Sequence, residues 1–404
     1  MRILILSQYF WPENFIVNDV VRVLDEQGHQ IVVATGKPNY PDGRVFPGYR
    51  ASGMLCEHYL EKIEVFRVPL WPRGEGGARN LVLNYLSFVV SGLLFLPWML
   101  RGRKFDAILV FAPSPITQVI PAILLKWLKG ARLALWVQDL WPESLSATGF
   151  VKNSCLLAVT GCLVRALYSC CDILLVQSRA FFEPVARYAA SEKIVYYPNS
   201  IDVRNLQATV HVDEALISLL ERHFCVVFAG NLGTAQALDT LLQAAAHLRD
   251  DTNIRMVLIG SGSRLAWLKE QKELLGLDNL VLPGRFSMEA MPSIFQSAGA
   301  LLVSLSDEPA FAQTIPSKIQ AYLAAGRPII ASINGEGARV ILEAGAGFVS
   351  PADQVMPLVS SIRAMAGLSE DERVAMGRSG KAYFDVNFEM RSQVQRLVEI
   401  LAAD

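Results

Sequence analysis

Five short turns in the second half of the chain have residue types suited to holding a phosphate-bearing ligand. They are FAGNLG (228–233), IGSGSR (259–264), PGRF (283–286), TIPSK (314–318) and INGEGA (333–338). Four of the five contain glycine at positions where the backbone can approach a ligand closely. Ligands of open parallel sheets bind beyond the carboxyl ends of the strands. We therefore expect a nucleotide or phosphate ligand in the second half of the chain.

The elements that must position these turns alternate between strand-like and helix-like segments. Continuous β-branched or leucine-rich runs are typical of strands buried on both faces of a parallel sheet. Such runs occupy 2–7, 30–35, 107–112, 132–139, 172–178 and 193–199 in the first half, and 225–230, 255–261, 280–284, 300–305 and 328–332 in the second. The pattern predicts an α/β protein with two Rossmann-like, doubly wound parallel-sheet domains facing across a cleft. We place the domains at 1–203 and 204–385, with a C-terminal helical segment, 386–404, packing back on the first.

Composition excludes several classes of protein. The 404 residues are 52% hydrophobic and 19% charged, which excludes a disordered chain. A net charge of −1 argues against a nucleic-acid-binding protein. The chain runs directly into a strand with no secretory signal pattern, and its six cysteines show no zinc-type spacing. We expect a cytoplasmic, reduced protein without a metal site.

The first half also has features of a membrane-associated protein. Segment 81–100 is twenty residues without a charge, and residues 67–132 carry nine Lys or Arg against two acidic residues. Asn84, Ser87 and Ser91 form a polar stripe at helical spacing along the segment. A helix lying in the membrane interface fits best, with a core helix and a spanning helix as alternatives. The basic block 67–132 would then face anionic lipid, or else be a solvated surface.

Longer phrases show a resemblance to a known family. The second half contains FAGNLGTAQALDTLL (228–242), VLIGSGSR (257–264), LPGRF (282–286) and PSKIQAYLAAGRPIIAS (316–332), and GHQIVVATG (28–36) and YPNSID (197–202) precede them. In this order the phrases resemble the GT-B glycosyltransferases of the large retaining family 4. QYFWPE (8–13), KPNYP (37–41) and VQDLWPES (137–144) are similar to the fucosamine-type (L-FucNAc) transferases of O-antigen and capsule assembly.

The resemblance implies a retaining glycosyltransferase. Such an enzyme moves a sugar, here an N-acetyl-deoxyhexosamine such as L-FucNAc, from a UDP-sugar to a polyprenyl-diphosphate-linked sugar acceptor at the inner face of the cytoplasmic membrane. It implies no cofactor and no essential metal, with the nucleotide sugar as a substrate. Backbone amides, side-chain cations and a helix N-terminus would then stabilise the charge on the departing diphosphate.

Donor-site residues follow from that requirement. Gly230, Asn231 and Gly233 would point their amides at phosphate, and Gln236 stands where relatives commonly have a cation. Lys318, following Ser317 at the start of a helix, is the first candidate for the missing cation, because a lysine there is unfavourable unless an anion is present. Arg285 is the second candidate for the cation, or it lines the base pocket together with Phe286. Gly262 and Ser263 belong to the nucleotide pocket or form only a tight turn.

Two family glutamates are missing. Aligning the chain on Gly326 and Pro328 places Gln313 and Ala321 at those positions. The second of these glutamates normally holds the ribose, so the resemblance leaves ribose recognition open here. Glu308, five residues before Gln313, could substitute only if the loop is longer. Glu336 in INGEGA is a candidate, and a solvated loop glutamate is the alternative.

The first half would supply the acceptor side. Asp139 ends a strand-like run and is expected to orient or deprotonate the acceptor hydroxyl, or else to cap a helix over 140–147. Glu13 is the rival base. Two other functions share the two-sheet architecture: a nucleotide-sugar 2-epimerase, which needs several converging acid/base residues, and a two-domain solute-binding protein, which the lack of a signal peptide disfavours.

Overall fold

The computed structural model describes residues 1–74, 77–147, 153–206 and 212–403. The chain divides into two compact units, one formed by Met1–Asn199 together with the residues from Gln393 onward, and one formed by Ser200–Ser392. Each unit is built on its own sheet, so each is described separately.

The first unit has a doubly wound sheet. Its strands are β1 (Arg2–Leu6), β2 (Gln30–Thr35), β3 (Leu55–Tyr59), β4 (Ile63–Arg67), β5 (Ala107–Ala112), β6 (Arg132–Val137), β7 (Ile173–Val176) and β8 (Ile194–Tyr196). Their order is β3-β4-β2-β1-β5-β6-β7-β8, and every pair is parallel except β3 with β4. The sheet therefore grows outward from β1 in both directions.

The second unit repeats this plan. Its strands are β9 (Phe224–Ala229), β10 (Ile254–Ile259), β11 (Leu280–Gly284), β12 (Ala300–Ser304), β13 (Ile329–Ser332) and β14 (Gly347–Ser350). Their order is β11-β10-β9-β12-β13-β14 and all pairs are parallel. Winding reverses between β9 and β12, which is the topological switch point where ligands of such sheets bind. The predicted class of two Rossmann-like parallel-sheet α/β domains is confirmed.

Helices cover both sheets. In the first unit they are α1 (Ile16–Glu26), α2 (Ala78–Met99), α3 (Val119–Lys129), α4 (Glu143–Ala147), α5 (Ser154–Cys170) and α6 (Phe182–Ala186). In the second they are α7 (Glu214–Arg222), α8 (Leu238–His247), α9 (Leu265–Leu275), α10 (Met291–Ser297), α11 (Pro309–Ala312), α12 (Ser317–Ala325), α13 (Glu336–Glu343), α14 (Val355–Gly367) and α15 (Glu370–Asn387). The last helix, α16 (Met390–Ala402), begins in the second unit and ends in the first.

The alternation of strands and helices could be predicted from the sequence because many of the strands are buried. β5, β9 and β12 have no exposed residue, and their aliphatic side chains fill the core on both faces of each sheet. The sequence pattern does not identify β3, β4 and β14. β3 and β14 are edge strands in which seven of the nine residues are at least partly exposed, so the continuous apolar run is lost. β4 was missed because charged residues interrupt its sequence, IEVFR.

Candidate active site

The turn that follows β9 lies at the switch point of the second sheet. Gly230 has φ 144°, and a Cβ on the neighbouring Gly260 would lie 1.8 Å from the Gly230 carbonyl oxygen. The two turns pass each other so closely that neither position tolerates a side chain. The Gly230 amide donates to the Ile259 carbonyl at 2.9 Å, so it is not free to bind a phosphate as expected. Gly230 instead leaves space beside the end of β9.

Lys318 occupies that space. A Cβ on Gly230 would lie 2.5 Å from Lys318 Cε, and Lys318 Nζ is 3.7 Å from the centre of the Phe228 ring. The ammonium is buried, and no described residue accepts a hydrogen bond from it. Burial lowers the pKa of Lys318 to about 8. A buried cation without an acceptor, in the first turn of α12, is costly unless an anion binds there.

The rest of the turn is held by its own side chains. The Gly233 amide donates to Gln236 Oε1 at 3.2 Å, so this amide too is already occupied. The turn at 259–264 packs closely against the turn at 228–233, because a Cβ on Gly262 would lie only 2.7 Å from Asn231 Oδ1. Ser263 is exposed beside them. The predicted phosphate turn is therefore preorganised, and its amides at 230 and 233 support the turn itself.

The other predicted donor residues lie in three different settings. Ser317 is exposed at the first residue of α12, where helix N–H groups lack intrahelical acceptors. Arg285 is exposed after β11, and Phe286 packs against the core of the unit. Glu336 is 6% exposed, and both of its oxygens accept from Arg339, at 2.9 and 3.0 Å. Glu336 is thus a buried, paired carboxylate rather than a solvated loop residue.

The two positions that lack the family glutamates lie at a helix end and on the core-facing side of a helix. Gln313 follows the last residue of the short helix α11. Ala321 lies on α12 and packs against the core cluster. Neither position provides a carboxylate for a ribose.

In the first unit, Asp139 lies just beyond the carboxyl end of β6. Its Oδ2 accepts from Trp141 Nε1 at 3.1 Å. Burial raises the pKa of Asp139 above its ordinary value, while Ser144, Trp141 and Ser114, which follows the neighbouring strand β5, act in the opposite direction. Burial also raises the pKa of Tyr85 on α2, and the nearby Ser114 lowers it. The sequence pattern indicates neither Ser114 nor Tyr85 as a site residue, and Tyr85 lies in the apolar segment interpreted as a membrane helix.

Glu13 has a different setting from the one expected of a base. It is 2% exposed, and its two oxygens accept from the backbone amides of Phe10, Asn39 and Tyr40 at 3.2, 2.8 and 2.8 Å. Burial raises the pKa of Glu13 to about 7, against these donors and Arg67, which favour the ionised form. A carboxylate enclosed in this way joins two loops and does not face an acceptor. The geometry therefore argues against Glu13 as the base.

The polar stripe of α2 faces the protein. Asn84 is fully buried: its Oδ1 accepts from Gln8 Nε2 at 2.7 Å and its Nδ2 donates to the Trp71 carbonyl at 2.6 Å. Ser87 Oγ accepts from the Trp71 amide at 2.8 Å. Among the described helices, α2 alone is long and apolar enough to cross a membrane by length and composition. Its hydrogen bonds instead attach it to the loops after β1 and β4.

The opposite face of α2 is an exposed apolar ridge. Val82, Leu86, Val90, Leu94 and Trp98 are spaced four residues apart and are 44 to 66% exposed. We call these five residues the α2 ridge. A patch of this kind on one helix marks an interaction surface.

The basic block 67–132 has fewer exposed, unpaired positive charges than its sequence suggests. Arg67 is fully buried and pairs with Glu57. Arg103 pairs with Glu64 at 2.6 Å, and Lys126 pairs with Asp172, also at 2.6 Å. All three acidic partners lie outside 67–132, so counting charge within the block overstated its surface charge. Exposed cations remain at both ends of α2, namely Arg79, Arg101 and Lys104.

Within the described ranges, no group of three or more His, Cys, Asp or Glu is arranged to hold a metal ion. The candidate donor site therefore consists of the glycine turns and Lys318, and the candidate acceptor side of Asp139, Ser114 and Tyr85.

Comparison with known proteins relates the chain to glycosyltransferases. Residues 217–383 match the family model described as "Glycosyl transferases group 1". The chain is 26% identical over 345 residues to the putative colanic acid biosynthesis glycosyl transferase WcaI of Escherichia coli K12, covering 81% of this chain and 82% of the relative. It is 24% identical over 306 residues to the probable glycosyltransferase WbjE of Pseudomonas aeruginosa, covering 74% of each.

Solved structures share the fold over the whole chain. Anabaena Alr3699/HepE in complex with UDP superposes with a TM-score of 0.66 at 14% identity, covering 100% of both chains. Sucrose-phosphate synthase from Thermosynechococcus elongatus superposes with a TM-score of 0.70 at 14% identity, covering 99% of this chain and 98% of that one. The two domains share the GT-B fold of these structures, and residues 217–383 are similar to the group 1 glycosyl transferases.

Proposed function

We propose that this chain transfers a sugar from a UDP-sugar to a polyprenyl-diphosphate-linked sugar acceptor in the assembly of a bacterial surface polysaccharide, with retention at the anomeric carbon. The similarity to a putative colanic acid biosynthesis enzyme supports the pathway class, and the UDP complex of a structural neighbour supports the nucleotide. The sequence resemblance to fucosamine-type transferases favours an N-acetyl-deoxyhexosamine such as L-FucNAc as the sugar.

One observation carries the proposal. The buried ammonium of Lys318 has no acceptor among the described residues, and it lies in the space left by Gly230 at the switch point of the second sheet. A diphosphate bound there supplies the missing acceptor oxygens. As the bond from the sugar C1 to the diphosphate breaks, negative charge develops on the leaving oxygen, and Lys318 stabilises it. This charge is provided by the chain itself, so the proposal includes no metal and no further cofactor.

The acceptor hydroxyl is positioned by Asp139. Its carboxylate accepts from Trp141 and has a raised pKa, which suits a group that accepts a hydrogen bond from a neutral hydroxyl. For retention, the acceptor oxygen attacks C1 on the face from which the diphosphate leaves. The hydroxyl proton then passes to the departing phosphate oxygen, so no enzyme nucleophile forms a covalent intermediate.

We further propose that the enzyme rests on the inner face of the cytoplasmic membrane through the α2 ridge. The apolar side chains would enter the headgroup region, while Arg79, Arg101 and Lys104 meet anionic lipid. This location suits an acceptor carried on a polyprenyl lipid.

An acceptor-dependence assay tests the proposed reaction. The chain is incubated with UDP-sugars, with and without membranes that contain polyprenyl-diphosphate-linked sugars, and free UDP is measured together with the anomeric configuration of the product. We expect UDP only when the acceptor is present. Epimerised UDP-sugar without acceptor would contradict transfer, binding without turnover would favour a solute-binding role, and an inverted product would contradict retention.

A further inference from the structure

A cavity lies at the edge of the second sheet opposite to the candidate donor site. It has a volume of about 480 Å³ and is lined by residues at the amino ends of β9 and β13, together with α7 and α15. The turn at Gly230 is at the carboxyl end of β9. The six residues of β9 span about 20 Å, so the cavity is distinct from the candidate donor site.

Three arginines line this cavity, and none of them forms an ion pair with a described residue. The Arg327 Nε donates to the Ala298 carbonyl at 2.9 Å, and Arg222 Nε donates to the Ser218 carbonyl at 3.1 Å. Arg373 donates to a backbone carbonyl and lies over the Phe224 ring, 5.4 Å from its centre. A backbone carbonyl is neutral, so none of these hydrogen bonds cancels the charge of its guanidinium.

The charges in the cavity also influence one another. The pKa of Arg327 is lowered by burial first and by the nearby Arg373 second, with Glu370 acting in the opposite direction. Like charges gathered around one cavity repel, and a bound anion relieves that repulsion. Guanidinium groups bind phosphate and carboxylate groups well when two N–H groups can engage two oxygens.

The lining also includes two carboxylates, Glu221 and Glu370. A ligand of phosphate alone would place its oxygens against them. A ligand with hydroxyl groups beside the phosphate donates hydrogen bonds to the carboxylates while the arginines hold the phosphate.

We propose that this cavity binds a hydroxyl-bearing phosphate ester, a sugar phosphate or a nucleotide, at a site separate from the donor site. The sheet edge at which it lies is not the one where this fold places its substrates, so we expect its ligand to be neither donor nor acceptor. The proposal does not depend on the acceptor or the sugar transferred.

Calorimetric titration of the full chain tests it, with glucose 1-phosphate, UMP and inorganic phosphate as separate probes. Arg222→Gln removes an exposed guanidinium from the cavity, and Arg249→Gln is the matched control, an exposed arginine of the same unit that also donates to a carbonyl but does not line the cavity. Lys318→Ala removes the proposed phosphate contact of the donor site, so ester binding that persists in this variant belongs to the cavity. Thermal unfolding of each variant checks that it is folded.

We expect one of the two esters to bind at least tenfold more tightly than inorganic phosphate. Arg222→Gln should weaken that binding about tenfold, while Arg249→Gln and Lys318→Ala leave it unchanged. Equal affinity in the two arginine variants would overturn the proposal and leave Arg222 with only its favourable position at the end of α7. Loss of all ester binding in Lys318→Ala, or equal binding of inorganic phosphate, would overturn it as well.

Discussion

The ammonium of Lys318 lies 3.7 Å from the centre of the Phe228 ring, yet none of the described residues accepts a hydrogen bond from it. A ring face compensates only part of the cost of burying the charge. The second unit therefore retains an unsatisfied cation beside its glycine turn, and the first three predictions depend on it.

Replacing Lys318 with methionine should abolish most donor recognition. The methionine keeps the volume beside Phe228 and removes the charge, so kcat/KM should fall by about 10²- to 10³-fold. Lys381→Met is the control, because that lysine is exposed and already paired with Asp385. Steady-state kinetics with a UDP-sugar measure both, and near wild-type kcat/KM in Lys318→Met would remove the phosphate role.

Binding of UDP should take up protons near pH 8. Burial holds the pKa of Lys318 at about 8, and a bound diphosphate raises it, so the amine becomes charged on binding. Affinity should be greatest below pH 8 and decrease as the pH rises above it. Titration calorimetry in buffers of different ionisation enthalpy measures about half a proton at pH 8. Uptake of the same size in Lys318→Met would assign the proton to another group.

Gly230→Ala should displace Lys318. The new Cβ would lie 2.5 Å from Lys318 Cε, in a backbone conformation with φ 144° that alanine rarely adopts. Gly276→Ala shares a positive φ but meets no atom within 4 Å, so it reports backbone strain alone. We expect a loss of about 1 kcal/mol or more of stability in both, and loss of UDP affinity in Gly230→Ala only. Unchanged UDP affinity in Gly230→Ala would show that Lys318 need not occupy this space.

Asp139→Asn should reduce kcat and leave UDP affinity unchanged. Its carboxylate is proposed to position the acceptor, and the loss should be about 10²-fold or more. Tyr85→Phe, which removes a hydroxyl that lies near Ser114 and Asp139, should have a smaller effect in the same direction. Asp106→Asn, an exposed carboxylate paired with Arg2, is the control. Full activity in Asp139→Asn would exclude it from the mechanism.

Charge placed on the α2 ridge should release the chain from anionic vesicles. Leu94 is 66% exposed, so Leu94→Glu should weaken binding to phosphatidylglycerol vesicles at least tenfold without unfolding the protein. Leu274→Glu, at a leucine 71% exposed on the second unit, controls for added charge. A chain that ignores anionic vesicles at low salt, in wild type as in the variant, would contradict the membrane proposal.

The fold was predictable wherever strands are buried on both faces. The runs at 107–112 and 300–305 contain enough aliphatic residues to identify β5 and β12 almost to the residue. β14 was not predictable in this way, because an edge strand of four residues has no continuous apolar run.

The candidate site could be predicted from the sequence in some of its residues but not in their contacts. A lysine in a first turn is unfavourable, which marks Lys318 as a candidate in the sequence, but its burial beside Gly230 and Phe228 is visible only in the structure. The sequence contains no information on which amides are already occupied, so Gly230 and Gly233 were assigned a role that their own hydrogen bonds exclude. Glu13 was misread for a similar reason, since its three amide donors come from two separate loops.

Asn84 gives α2 a second significance. Its side chain links the helix to Gln8 after β1 and to Trp71 after β4, so the helix holds these two loops in place. An enzyme freed from the membrane by deleting α2 would lose those loops with it. Replacing the residues of the α2 ridge while keeping Asn84 should change the proposed membrane binding and leave these loops in place. Membrane binding and acceptor recognition can then be altered independently.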